Sequence, residues 1–174
     1  MSKIVIIGAG AMGSAFALPC LDNNHDINII GTHLENEFID NLKKNNNLHP
    51  GLNTKIPEGI KIFKYEKFDE LLNSNIDLIV LGISSKGIEW VSDQLSRIYK
   101  DNKIPKLLML TKGLSIYENK YELLVDKLER LLSAADPVPI ILTLLLLRSY
   151  VRVSSLNKSD PVTLMNRASS SKCI

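Results

Sequence analysis

Cysteine is scarce: two thiols, Cys20 and Cys173, lie far apart in 174 residues, with no CxxC pair and no Cys/His cluster at metal-ligand spacing. This argues against a disulfide framework and against a zinc site. An excess of either charge is also lacking, since 21 Lys+Arg face 19 Asp+Glu for a formal net charge of +2. Without a basic surplus there is no electrostatic reason to expect nucleic acid or an anionic membrane surface as a partner. The N-terminus lacks the basic flank and small-residue cleavage site of a secretory signal, so a reducing, cytoplasmic location is expected. No apolar stretch reaches bilayer length. The run VPIILTLLLL at 138–147 has about half of the roughly 20 residues a membrane-spanning helix needs, and Arg148 and Arg152 follow it. It reads as core, or as a packing surface without its cover.

What is present is the composition of an ordinary globular domain, 45% hydrophobic and 23% charged, long enough to bury a core. KIVII (3–7) is a continuous apolar run of the buried parallel-strand type, and small apolar residues follow from Gly13 to Leu21 as in a helix packed close to a sheet. DINII (26–30) reads as a second strand, and Glu35 to Lys44 as an amphipathic helix with Phe38, Ile39 and Leu42 on one face. The Asn-, Pro- and Gly-rich segment 45–59 reads as a loop. Strands are expected at IKIF (60–63), DLIVLGI (77–83) and LLML (107–110), with helices near 68–72, from Gly87 to Tyr99, and from Tyr117 to Leu132. This alternation predicts an α/β fold, a doubly wound and mostly parallel sheet in a single domain. Residues 1–133 form its main part, and 134–174 a divergent remainder with a helix, a strand and a frayed Ser-rich tail.

The chemistry concentrates where strands end. Gly8, Gly10 and Gly13 have the GxGxxG spacing of a Rossmann unit directly after the first strand. There the first glycine permits the tight turn, the second admits a pyrophosphate and the third lets helix and strand pack. The helix N-terminus supplies free N–H groups to phosphates. The alternative is a glycine-rich turn kept for packing alone. At the end of the second strand, where a carboxylate usually holds the ribose of NAD, the chain reads Gly31, Thr32, His33. That determinant is missing, Glu35 and Glu37 fall in the following helix, and the choice between NAD and NADP stays open. Two further loops, GISSKG (82–87) and TKGL (111–114), leave the carboxyl ends of strands, so Ser84, Ser85, Lys86 and Lys112 face the ligand crevice. Lys112 neutralises a phosphate or polarises a carbonyl there, or is a surface lysine in a turn.

Together these stretches resemble the NAD(P)-dependent sn-glycerol-3-phosphate dehydrogenases. IIGAGAMGSAFALP, IIGTHLEN, HPGLNTKIPEGI, VLGISSKGIEWV and LTKGL follow that family's order and spacing across residues 3–132. The resemblance implies a Rossmann-type domain that binds NAD or NADP, hydride exchange between dihydroxyacetone phosphate and sn-glycerol 3-phosphate, a small phosphate substrate, and a role in phospholipid biosynthesis. It places Gly8, Ala9, Gly10, Ala11, Met12 and Gly13 along the pyrophosphate and Thr32 and His33 near the adenosine ribose. Ser84 and Ser85 approach the cofactor, and Lys112 reaches both nicotinamide and substrate.

Two departures stand against the resemblance. The segment AADPVPIILTLL replaces a glycine of the family with Asp136 and puts Leu142 where a carboxylate is expected. Nothing after Lys112 matches the acid/base lysine of the family's helical C-terminal domain, so the catalytic residue is unknown. Two other readings therefore stand beside the dehydrogenase: a catalytically silent dinucleotide-binding module, and an interaction protein that uses the 138–147 run to associate with itself, as a homo-oligomer, or with a full-length partner.

Overall fold

In a computed structural model, residues 1–100 and 103–132 and the backbone of 140–142 are described. The elements, in chain order, are β1 Lys3–Ile7, α1 Ala11–Asp22, β2 Asp26–Ile30, α2 Asn36–Lys44, β3 Leu48–His49, β4 Thr54–Lys55, β5 Ile60–Phe63 and α3 Phe68–Leu72. Then come β6 Leu78–Leu81, α4 Ile88–Ile98, β7 Lys106–Met109, β8 Leu114–Tyr117, β9 Lys120–Leu123, α5 Leu124–Leu132 and β10 Ile140–Leu142.

Six strands form one parallel sheet in the order β10-β7-β6-β1-β2-β5. Taken in chain order this is the 3-2-1-4-5-6 arrangement of a doubly wound dinucleotide-binding fold, with its switch point between β1 and β6. The central strands β1 and β6 are nearly continuous Ile/Val/Leu runs because both of their faces are covered. Val5, Ile7, Ile30, Ile79 and Leu81 face a core completed by Phe68, Val91, Leu95 and Leu128. Ile4, Ile6, Ile27, Ile29 and Val80 face a second one completed by Ala17, Ile39 and Leu42. Alternate residues of one strand serve opposite layers, as the period-2 geometry of a strand requires.

The expected helix from Tyr117 to Leu132 is corrected: only Leu124–Leu132 is helical, and β8 and β9 form an antiparallel hairpin ahead of it. Glu118 and Asn119 take positive φ of 50° and 60°, the paired left-handed residues of a tight primed hairpin turn. The apparent helical spacing arose because Tyr121, a strand residue, sits three positions before Leu124. The hairpin turns its polar side inward. Ser115 donates to Glu122 at 2.8 Å, Arg130 of α5 pairs with Glu122 at 2.8 Å, and the same guanidinium lies 3.7 Å from the Tyr117 ring centre. Leu114, Ile116, Tyr121 and Leu123 share the opposite face and are exposed.

The segment 45–59, expected as plain loop, contains the short hairpin β3–β4, with Asn46, Asn47 and Asn53 at positive φ. Asparagine tolerates that region better than other side chains with a Cβ. Of the run 138–147, Ile140–Leu142 is a strand paired in parallel with β7 at the sheet edge. The remainder of that run, Asp136 and the Ser-rich tail lie outside the described residues.

Candidate functional site

The turn after β1 is built from glycine because backbone meets backbone there. Gly8 has φ +107°, and a Cβ on it would lie 2.7 Å from the Gly82 carbonyl oxygen. A Cβ on Gly13 would press into the Gly8 carbonyl, and one on Gly82 would come within 2.8 Å of Gly13 Cα. Three glycines from β1, α1 and the end of β6 therefore interlock at the switch point. Gly82 opens the GISSKG stretch, but nothing in the local sequence specifies this contact.

Gly10 differs. A Cβ there would meet only Glu35 Oε1, at 4.0 Å. Gly10 is also the N-cap of α1, no side chain caps that helix, and its first turn holds no acidic residue. Amides at the helix start are thus left without a side-chain acceptor beside an open surface, which suits an anion. Ala11 and Met12 are exposed at this end. Ser14 is buried in the first turn, and its hydroxyl donates to the Ala9 carbonyl at 3.1 Å.

The same Ala9 carbonyl is reached from the other side by His49, which is buried. His49 Nδ1 accepts from the Gly51 amide at 3.1 Å, which leaves Nε2 as the donor to Ala9, also at 3.1 Å. The HPGLNTKIPEGI stretch thus braces the glycine loop through His49. Only the motif, and not this residue's task, was visible in the sequence.

The end of β2 is corrected. Glu35 is not inside α2 but is its N-cap residue, and its side chain turns back across the strand ends. Oε1 accepts from the Ala9 amide at 3.1 Å and Oε2 from the Thr32 amide at 2.8 Å. A carboxylate therefore does stand at the edge of β2 beside the glycine loop. The amide of Thr32 is engaged by it, while Glu37 is exposed in the first turn of α2. His33 is exposed, with its ring centre 5.0 Å from that of Trp90 and 6.1 Å from that of Tyr65. It caps an aromatic group rather than standing alone in solvent.

On the far side of the switch point, Ser84 and Ser85 are exposed where a 3-10 turn leads into α4. The Thr111 hydroxyl donates to the Ile83 carbonyl at 2.7 Å, which binds the TKGL loop to the GISSKG loop. Lys112 follows, exposed and without an ion-pair partner among the described residues, and Gly113 at φ +141° lets the chain turn into β8. Glycine loop, Glu35, serine loop and Lys112 all lie at the carboxyl ends of neighbouring strands. Among the described residues, no group of three His, Cys, Asp or Glu is placed to hold a metal ion. No described helix is long and apolar enough to cross a membrane.

Comparison with known proteins bears on what this crevice takes. The sequence profile described as NAD-dependent glycerol-3-phosphate dehydrogenase N-terminus matches residues 3–142. An NADP(+)-dependent glycerol-3-phosphate dehydrogenase of Archaeoglobus fulgidus is 33% identical over 116 residues, which is 67% of this chain and 33% of that protein. A glycerol-3-phosphate dehydrogenase [NAD(P)+] of Fusobacterium nucleatum is 33% identical over 138 residues, 79% of this chain and 38% of that protein. The crystal structure of a glycerol-3-phosphate dehydrogenase from Coxiella burnetii superposes with a TM-score of 0.64 at 21% identity, over 81% of this chain and 40% of that one. The chain thus spans about a third of the length of the curated relatives it matches.

Proposed function

We propose, from the premise that this chain belongs to the NAD-dependent glycerol-3-phosphate dehydrogenase N-terminal family, that it is the dinucleotide-binding part of an oxidoreductase that interconverts dihydroxyacetone phosphate and sn-glycerol 3-phosphate. The observation that carries the binding step is the contrast among the glycines. Gly8, Gly13 and Gly82 are filled by neighbouring backbone, whereas Gly10 faces open space beside the start of α1, where a Cβ would occupy a ligand's place. The residues fit a pyrophosphate: amides at the start of α1 for its charge, and Gly10 for its close approach.

The dinucleotide, when bound, supplies or accepts the hydride. This chain's own residues position it. Ala11, Met12 and Gly13 present the helix start, Thr32 and His33 flank the adenosine ribose, and Ser84 and Ser85 border the crevice across the switch point. Lys112, tied in place through Thr111, offers a cation to the substrate phosphate or carbonyl. The cytoplasm is the compartment proposed.

The test is a titration of the 174-residue chain with NADH and with NADPH, followed by nicotinamide fluorescence. Saturable binding of a dinucleotide is expected, and a flat response from folded protein would sink the reading. Oxidation of NADH with dihydroxyacetone phosphate should show at most a trace of turnover, because no lysine after Lys112 matches the family's acid/base residue and general acid/base catalysis is worth about 10²- to 10⁴-fold. Lys112→Ala should leave NADH affinity within about threefold if the lysine serves the substrate, in keeping with the modest worth of an exposed charge.

We also infer self-association, which the exposed hairpin face of Leu114, Ile116, Tyr121 and Leu123 favours, since a contiguous apolar patch marks an interface. Light scattering on dilution should show a concentration-dependent mass that Ile116→Lys abolishes. A monomer at every concentration would remove this reading.

A further inference from the structure

We propose that Glu35 makes this crevice selective for NAD(H) over NADP(H), an inference that rests on the dinucleotide-binding reading above. The carboxylate is fixed by the Ala9 amide at 3.1 Å and the Thr32 amide at 2.8 Å, so it does not swing freely. Those bonds join it to the glycine loop on one side and to the end of β2 on the other. Its Oε1 lies 4.0 Å from where a Gly10 Cβ would stand, at the margin of the open surface assigned to the pyrophosphate. Each carboxylate oxygen has a second lone pair, and a ribose diol brings two O–H donors to match them. A 2′-phosphate in the same place brings only negative charge and acceptors. It would meet a carboxylate that the fold cannot turn aside without freeing two backbone amides.

Among the described residues, the cations nearest this edge are engaged elsewhere. The chain contains no arginine before Arg97, although arginine is the side chain whose planar fork suits a phosphate. Arg97 is itself held by both oxygens of Asp69, at 2.6 and 2.9 Å. Lys64, which follows β5 beside the end of β2, is paired with Asp40 at 2.7 Å. Lys61 is paired with Asp26, at the opposite end of β2. His33 packs against Trp90. Among the described residues, Glu35 is thus the carboxylate that backbone amides fix at this edge.

The experiment compares NADH and NADPH binding to the full 174-residue chain and to Glu35→Gln, by nicotinamide fluorescence and by the shift in melting temperature each dinucleotide causes. For the unaltered chain NADH should bind at least about tenfold more tightly than NADPH, from like-charge repulsion at contact distance. Glu35→Gln should weaken NADH and bring the two affinities within about threefold. Equal affinities in the unaltered chain overturn the proposal, as does a Gln variant that keeps the preference for NADH. If the variant does not fold, as its melting curve would show, the ratio in the unaltered chain decides alone. Failure of both dinucleotides to bind the folded chain is a different result, and it removes the cradle itself.

Discussion

The glycines around the crevice have different duties, and two substitutions separate them. At Gly10 a side chain has room within the protein, so Gly10→Val should preserve the fold while lowering NADH affinity by about 100-fold, or about 2.7 kcal/mol. Gly82→Ala should do the reverse of this in the first instance. Its Cβ would lie 2.8 Å from Gly13 Cα, a backbone atom that cannot swing away. A stability loss of about 1–3 kcal/mol is expected from such overpacking, read as a fall in melting temperature before any ligand is added. If both variants lost binding with unchanged melting, the division between cradle and scaffold would be wrong. Glu35 and His49 belong to this scale as well: one carboxylate and one imidazole brace the Ala9 peptide through its amide and its carbonyl. Neither role follows from residue type, because both depend on where distant chain segments come to rest.

Among elements, the β8–β9 hairpin is the instructive case. Its turn demands two consecutive residues at positive φ, Glu118 and Asn119. Asparagine suits that conformation and glutamate does not. Glu118→Gly should therefore stabilise the chain by about 0.5–1 kcal/mol, which thermal melting would detect; a loss of stability would mean that Glu118 makes a contact worth more than the strain. The alternation in LSIY and KYEL around Glu118 and Asn119 is a hairpin signal in the sequence, masked by the helical spacing of the leucines that follow. The helix was correct from Leu124 onward because Leu124, Leu128 and Leu132 do bury one stripe. Propensity and spacing described the residues well, and the boundary was decided by pairing between strands.

The described residues are held by two apolar layers, within which tertiary hydrogen bonds link one element to another. Tyr99, just past α4, donates its hydroxyl to the Leu72 carbonyl of α3 at 2.6 Å, and burial pushes its phenol up to about 12. An unfolded tyrosine ionises near 10. Between these values the folded chain keeps a proton that the unfolded chain has released, so stability falls as pH rises. This contribution is complete below about pH 10 and lost as pH passes about 12. Tyr99→Phe should flatten that part of the stability profile and cost about 1 kcal/mol at neutral pH, measurable by denaturant unfolding across the range. At the acid end Lys61 holds Asp26, and Arg97 holds Asp69, below the ordinary carboxylate range. Those pairs contribute above about pH 4 and fade as their carboxyls protonate, by a small amount because they are exposed. By itself the sequence determined the alternating strands and helices, the parallel sheet and the location of the glycine loop. Those follow from local periodicity and from conformations only glycine adopts. It also carried the family's motifs in order. The tertiary structure alone decided that Gly82 locks against Gly13, that His49 supports the loop, that Tyr117–Leu123 belongs to a β-hairpin rather than a helix, and that Glu35 turns back to the end of β2. Each of these depends on contact between segments far apart in the chain, and no local pattern specifies which backbone amide a carboxylate will find.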